Sequence, residues 1–378
     1  MNKLELHEIH QGWGAVFTTV NDCEVPLAYG HPNSEYRSLR DSVALLDLGF
    51  RSRLCLLGAD RKRFLHGQVS NDVNRLQPGR GCYAALVTAK GRMQSDLNIY
   101  CLQNELLLDF EPGLTAIVKE RLQKYVIADD VEIVDAAPHY GLIGVAGPKA
   151  LELCERAGLG LPDPGVSFGI ASRTTPLWGE VYLAWRPAPA LPSLQIFAPV
   201  AAQADLLQRL AGLARELGGG PCGWQTLEVA RIEDGTPRFG ADMDDTNLPP
   251  EAGIEASAIS YSKGCYIGQE VIARVRTYGQ VAKKLRGLDL GAALDTPPIR
   301  GARLLHQGRE VGSLTSVVWS PRCERWIALG YVRREINQEG AVLEFSSGDR
   351  LLPAIIVPLP FAKNPPPGYP SPDASTTK

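Results

Sequence analysis

The sequence predicts an α+β chain of more than one lobe that ends in a small β-barrel or sandwich. Three observations carry this. At 378 residues the chain exceeds what one hydrophobic core ordinarily organises, so two or three lobes are expected. Its first two thirds mix short strand-like runs with amphipathic helical runs in no regular alternation, which points to α+β lobes and away from a doubly wound sheet. After Lys284 only short β runs remain, spaced and punctuated as in a barrel or sandwich.

Two segments resemble each other. Residues 53–60 are a short apolar run, a turn at Gly58 and an acidic cap at Asp60, followed by an amphipathic stretch over 61–69. Residues 142–147 repeat the pattern before a helix over 149–157, with Pro148 where a first helical turn tolerates it. Between them, 83–88 and 96–102 read as strands joined at Lys90-Gly91-Arg92, 105–110 as a third strand and 114–125 as a helix. Strands are expected at 180–185 and 194–198 in a stretch rich in Pro and Trp. A helix is expected over 201–217, stopped by Gly218-Gly219-Gly220-Pro221. The β runs that follow are 285–290, 301–306, 310–319, 326–332 and 341–345. Residues 358–378 hold seven prolines and are expected to be disordered.

Composition excludes several classes. Lys+Arg is 39 against Asp+Glu 42, a net charge of −3, so nothing global attracts the chain to nucleic acid. The first ten residues carry two glutamates and no apolar run, which predicts neither a secretory signal nor a transit peptide, and no stretch is apolar enough to span a membrane. The eight cysteines are scattered singly, with no CxxC. That fits a reducing cytoplasm and argues against a zinc or self-contained iron–sulfur site. His7 and His10 stand at helical spacing without a third partner, so no resident metal is expected.

Two constellations remain. In Lys263-Gly264-Cys265-Tyr266-Ile267-Gly268-Gln269-Glu270, two glycines flank one cysteine ahead of a segment able to start a helix with Glu270 in its first turn. A thiol so placed, with Lys263 two residues away, is expected to tend toward thiolate. It can serve as a nucleophile, a redox thiol or a cluster ligand, or simply be a small residue in a loop. The second runs from Arg231 through Glu233, Gly235 and Pro237 to Asp242. If extended, it puts Arg231 and Glu233 on one face as a guanidinium fork and a carboxylate. Asp242, Asp244 and Asp245 fit no calcium loop and read as a solvated acidic turn.

Taken in order, LLGADRKRFLHGQVSNDV, AKGRMQSDL, RIEDGTPRFGAD, PPEAG and KGCYIGQE resemble the YgfZ family of folate-binding iron–sulfur maintenance proteins, over about residues 45–332. That family is similar in fold to the aminomethyltransferase of the glycine cleavage system. The resemblance implies three lobes around a hole that accepts tetrahydrofolate or a related folate. Residues 1–283 would be a folate-binding region of two interleaved α+β lobes, 284–357 a β-barrel and 358–378 a disordered tail. It also implies support of enzymes carrying iron–sulfur clusters, including tRNA methylthiotransferase, so that tRNA modification is affected indirectly from the cytoplasm. Carried onto this chain, the chemical residues would be Cys265, Lys263 and Asp96. The folate contacts would be Asp96, Arg231, Glu233, Tyr266 and Gln269.

Departures from the aminomethyltransferase pattern bear on activity. Its adjacent acidic pair is represented by Ser95-Asp96, leaving one carboxylate. Its pterin-holding glutamate has no counterpart in residues 189–193, with Glu180 as a displaced candidate. Folate binding without glycine-cleavage turnover is therefore the first expectation, and aminomethyl transfer, with Asp96 holding the reacting amine, the alternative. The basic run Arg274, Arg276, Lys283, Lys284, Arg286 is read as a solvated face or a contact for an anionic folate tail. Direct tRNA binding is not expected, because Tyr278 is its one interleaved aromatic.

Overall fold

Both strand–turn–helix segments form, and each lies in a different sheet. The structure, a computed structural model, describes residues 2–160, 166–186, 193–294, 296–347 and 350–361. Ser52–Leu57 runs into Gly58 and then helix Arg61–Gln68, and Tyr140–Ala146 runs into Gly147 and then helix Ala150–Arg156. Both glycines have positive φ, and a Cβ there would lie 2.1 Å from the Asp130 carbonyl oxygen or 2.6 Å from that of Ser42. Only glycine allows such approach of backbone to backbone.

The fold divides into two compact units. The first comprises Met1–Val87, Gln94–Leu227 and Ala258–Ile267. It holds a five-stranded sheet in the order Arg80–Val87, Met93–Cys101, Leu106–Phe110, Ser52–Leu57, Glu132–Asp135. It also holds a six-stranded sheet in the order Ile170–Thr175, Gly179–Arg186, Ser193–Pro199, Tyr140–Ala146, Ala44–Asp47, Gly220–Pro221. One face of the five-stranded sheet packs Leu54, Leu56, Leu86, Leu97, Ile99 and Leu108 against Phe64 and Leu65 of the first helix and Val118 and Leu122 of helix Thr115–Gln123. The six-stranded sheet buries Ile143, Val145, Leu194 and Ile196 against helices Ala150–Arg156 and Val200–Glu216. In each case the apolar face follows the strand period of two and the helical period of 3.6.

The second unit comprises Thr88–Met93, Glu228–Ser257 and Gly268–Lys378. Its centre is a closed six-stranded barrel in the order Lys283–Gly291, Arg325–Arg333, Arg309–Ser320, Arg303–His306, Val342–Ser347, Arg350–Val357. The closing strand, Arg350–Val357, has no counterpart among the five runs predicted. It carries Pro353, opposite Glu344, and a proline in a run demotes it as a strand. Barrel closure buries Ala354, Ile355 and Ile356 all the same.

The expected disorder from residue 358 is corrected at its start. Leu359 and Phe361 pack on the barrel, and the Phe361 N–H donates to the Glu233 carbonyl at 2.8 Å. A Cβ on Gly287 would lie 2.7 Å from Leu359, so glycine makes the groove this segment fills. Residues 362–378 lie outside the described residues. Among those described, no helix is long and apolar enough to cross a membrane.

Candidate functional site

The second face of the five-stranded sheet is polar and buried. On Met93–Cys101, Leu97, Ile99 and Cys101 point into the apolar core, so Asp96, Asn98 and Tyr100 share the opposite face. Tyr83, Asp109 and Arg53 join that face from neighbouring strands by the same alternation. The six-stranded sheet covers it: Gln195 accepts from the Tyr100 hydroxyl at 2.9 Å and donates to Asp109 at 3.2 Å. Arg51 completes the layer with a fork to Asp109 (2.6 and 3.2 Å) and a bond to Glu111 (2.7 Å), and Asn98 donates to Asp109 at 2.9 Å. Burial pushes the Asp109 carboxyl up, but the Arg51 charge and its hydrogen bonds outweigh this and hold it below the usual range.

Asp96 is different. Its Oδ2 accepts from the Tyr83 hydroxyl at 2.8 Å, while its Oδ1 is buried and has no hydrogen-bond partner among the described residues. Burial, reinforced by the Glu111 charge, pushes the carboxyl up to about 6 against the opposing pull of Tyr83, Arg51 and Arg186. A buried carboxylate oxygen left unpaired is costly, and a donor from a bound molecule would relieve the cost. Asp96 thus fits a ligand N–H, and near pH 6 it can hold or release a proton. Of the layer's residues, sequence reasoning found Asp96 and missed Tyr83, Arg51 and Asp109. The available signal was the strict polar–apolar alternation of Asp96-Leu97-Asn98-Ile99-Tyr100.

The cysteine octapeptide splits into an anchored and an exposed part. Lys263 is buried, and its ammonium donates to the carbonyls of His66 (2.5 Å), Val69 (2.6 Å) and Asn71 (2.9 Å) while lying 4.7 Å from the Tyr266 ring centroid. All three ammonium donors are taken up by these carbonyls, so Lys263 anchors the loop that carries Cys265. Burial lowers this ammonium to about 8, against the opposing charges of Asp72 and Cys82. The pin reaches Asp96 indirectly, since the Asn71 side chain donates to the Tyr83 carbonyl at 2.8 Å. Tyr266 is likewise buried, and the Ile267 N–H bonds the Gly67 carbonyl at 3.2 Å. Cys265 is exposed, whereas the other seven cysteines are buried or half-buried. Gln269, half-buried, opens helix Gln269–Tyr278 in the second unit behind Gly268 at φ 84°, with Glu270 in the first turn as expected.

Arg231 and Glu233 do not share a face, which corrects the extended reading. They lie on helix Trp224–Glu233, where residues two apart point in nearly opposite directions. Arg231 forks Glu228 and bonds Asp242 (2.6 Å) and Ser316 (2.8 Å). Asp242 is buried and also accepts from Thr315 and Ser316, so it is a structural hub and not part of a solvated turn. Glu233, fully buried, accepts from Ser320 at 2.5 Å and faces Arg322 at 3.8 Å. These contacts tie the helix to barrel strand Arg309–Ser320 and the turn after it. Replacing Glu233 with Gln keeps the Ser320 bond and removes the charge. The expected loss is about 1–2 kcal/mol of second-unit stability, read by urea unfolding. An unchanged midpoint would show that the carboxylate contributes nothing there.

Comparison with known proteins places this arrangement. Residues 6–162 match the GCVT N-terminal domain, and residues 283–363 match the glycine cleavage T-protein C-terminal barrel domain. A chloroplastic protein of Arabidopsis thaliana named as a transferase is 30% identical over 304 residues, covering 79% of this chain and 67% of its own. The chain belongs to the glycine cleavage T-protein family. An aminomethyltransferase of Thermosynechococcus vestitus is 29% identical over 372 residues (97% of this chain, 96% of its own), and one of Rubrobacter xylanophilus is 27% identical over 371 (96% and 94%). The glycine cleavage system aminomethyltransferase T of Bartonella henselae superposes with a TM-score of 0.86 at 20% identity over 96% of this chain and 98% of its own, which establishes the aminomethyltransferase-like fold. In this T-protein family member, Asp96 lies inside the matched N-terminal domain. The octapeptide 263–270 falls between the two matched domains.

Proposed function

We propose that this T-protein family member binds a reduced folate at Asp96 and acts as a folate-dependent accessory protein for iron–sulfur enzymes in the cytoplasm. The unpartnered, buried Oδ1 of Asp96 carries the folate half of this reading. Tetrahydrofolate, when bound, supplies ring N–H donors and a nitrogen that carries one-carbon units. Asp96 would accept from it at Oδ1 while Tyr83 holds Oδ2, and Arg51 and Asp109 keep the surrounding layer rigid. The accessory half rests on Cys265, the exposed thiol of a loop whose lysine and tyrosine are anchored. Its partners would be cluster-carrying enzymes such as tRNA methylthiotransferase, so tRNA is affected through the client and not by contact with this chain.

The test is tRNA methylthiolation in a host deleted for the gene and complemented with native protein or Cys265→Ala. Native protein is expected to restore the modification, and the variant to leave it below about a tenth of that level. Full restoration by a soluble Cys265→Ala protein would sink the accessory role. A second reading, aminomethyl transfer, is favoured by one observation: the Asp96 carboxyl pushed up to about 6 suits proton exchange with an amine. Formation of methylenetetrahydrofolate from an aminomethylated lipoyl carrier, lost in Asp96→Asn, would establish that reading in its place.

A further inference from the structure

A cavity in the first unit, of about 630 Å³, is lined by a buried arginine, Arg53, that makes no direct ion pair among the described residues. Its wall includes Arg51, Arg53, Glu24, Gly49, Gly141 and Gln203, and excludes Asp96 and Tyr83. Arg53 is 2% exposed and forms no ion pair among the described residues. Its Nη1 donates to the carbonyls of Leu48 (3.4 Å) and Arg51 (2.9 Å) and its Nη2 to that of Gly49 (3.1 Å), while the Nε–H is buried and unpartnered. The contrast is with Arg51, two residues earlier and nearly as buried, which meets two carboxylates. A guanidinium has five N–H donors, so Arg53 keeps Nε–H and one Nη2–H, the side-on edge that accepts a carboxylate in a fork. Burial pushes the Arg53 guanidinium below its usual range, and the charges of Asp109, Asp47 and Asp135 offset this only in part, with no direct hydrogen bond to any of them.

Gln203 supplies a second observation at the same place. It projects from helix Val200–Glu216, is 2% exposed and makes no side-chain hydrogen bond among the described residues. Two glycines of the wall make room for its amide: a Cβ on Gly141 would lie 2.2 Å from Gln203 Cδ, and one on Gly49 would lie 3.4 Å from Nε2. The wall's other charges are largely committed. Glu24 accepts from the Leu4 N–H and pairs with His7, Asp135 accepts from the Ala137 N–H, and Lys3 pairs with Glu8, leaving exposed Glu5. We propose that this cavity binds a small carboxylate, held side-on by Arg53 with the Gln203 amide as the second donor.

The experiment titrates the full chain with sodium acetate against sodium chloride of equal ionic strength, reading the thermal midpoint and saturation-transfer NMR of the acetate methyl. Native protein should show a saturable, acetate-specific rise in midpoint, because a ligand of the folded state stabilises it by mass action. Gln203→Leu, which conserves volume and helix, should weaken acetate at least five-fold, and Arg53→Met should abolish saturation. Should Arg53→Met fail to fold, Gln203→Leu decides alone. Asp96→Asn should leave acetate binding unchanged, which separates this site from the folate reading. An acetate response no larger than that to chloride, or equal binding by Gln203→Leu, overturns the proposal, as does loss of acetate binding in Asp96→Asn. Inorganic phosphate serves as the competing arm: tighter saturable binding of phosphate than of acetate would overturn the carboxylate assignment.

Discussion

Asp96→Asn is expected to raise the stability of the free protein and to lower its affinity for tetrahydrofolate. The affinity loss should be about ten- to hundred-fold, the equivalent of one charge-assisted hydrogen bond, measured by calorimetry at pH 7.5. The gain in stability follows from the position of the carboxyl. Below its ordinary value of 3.8 it is protonated in folded and unfolded chains alike, between 3.8 and about 6 only the folded chain keeps the proton, and above about 6 both are ionised. The folded chain binds more protons across that window, so this group's contribution falls as pH rises from 3.8 to about 6 and stays unfavourable above it. Removing the charge should recover about 1–2 kcal/mol at pH 7.5 and flatten that part of the pH–stability curve. A variant that is both less stable and unchanged in folate affinity would show that Asp96 serves the fold and not a ligand.

Lys263→Met should have the largest effect on stability. It removes one cation and leaves the carbonyls of His66, Val69 and Asn71 without their donor in a buried place. At roughly 1 kcal/mol for each orphaned acceptor, the loss is about 3 kcal/mol, read as a lower urea midpoint for the first unit. Lys263→Arg, which keeps donors and charge, should recover part of it. A second consequence runs along Asn71 and Tyr83. Loosening the 66–71 segment frees the strand at Tyr83, and with it the hydroxyl that holds Asp96 Oδ2. Hydrogen exchange at residues 66–71 should therefore rise together with a fall in folate affinity in molecules that remain folded. Destabilisation without any change in affinity would confine Lys263 to a structural role unconnected with Asp96.

The elements themselves were readable because helix and strand periodicity, turn glycines and caps are local signals. Helix 201–217 forms as Val200–Glu216, and strands 83–88 and 96–102 form as Arg80–Val87 and Met93–Cys101. The misreadings have local causes too. A spacing of two puts Arg231 and Glu233 on one face only in an extended segment, whereas the chain stays helical through Glu233 and turns only afterwards. The closing barrel strand was hidden by Pro353, and the ordered residues 358–361 by the proline-rich composition that follows.

Local patterns in the sequence therefore revealed the α+β lobes, the β-rich lobe after Lys284 and the loop of Cys265, since each depends on a few neighbouring residues, whereas Asp96 came into view only through the family resemblance. Only the tertiary structure showed that the polar face of Met93–Cys101 is buried, because that depends on Gln195 and its sheet, about a hundred positions away along the chain. The same holds for Lys263, whose three acceptors come from residues 66–71, and for Arg53, which looks like any strand arginine until the fold encloses it without a direct ion pair among the described residues. Periodicity says which residues share a face. What that face meets, and whether a charge on it finds a partner, is decided by segments distant in the chain.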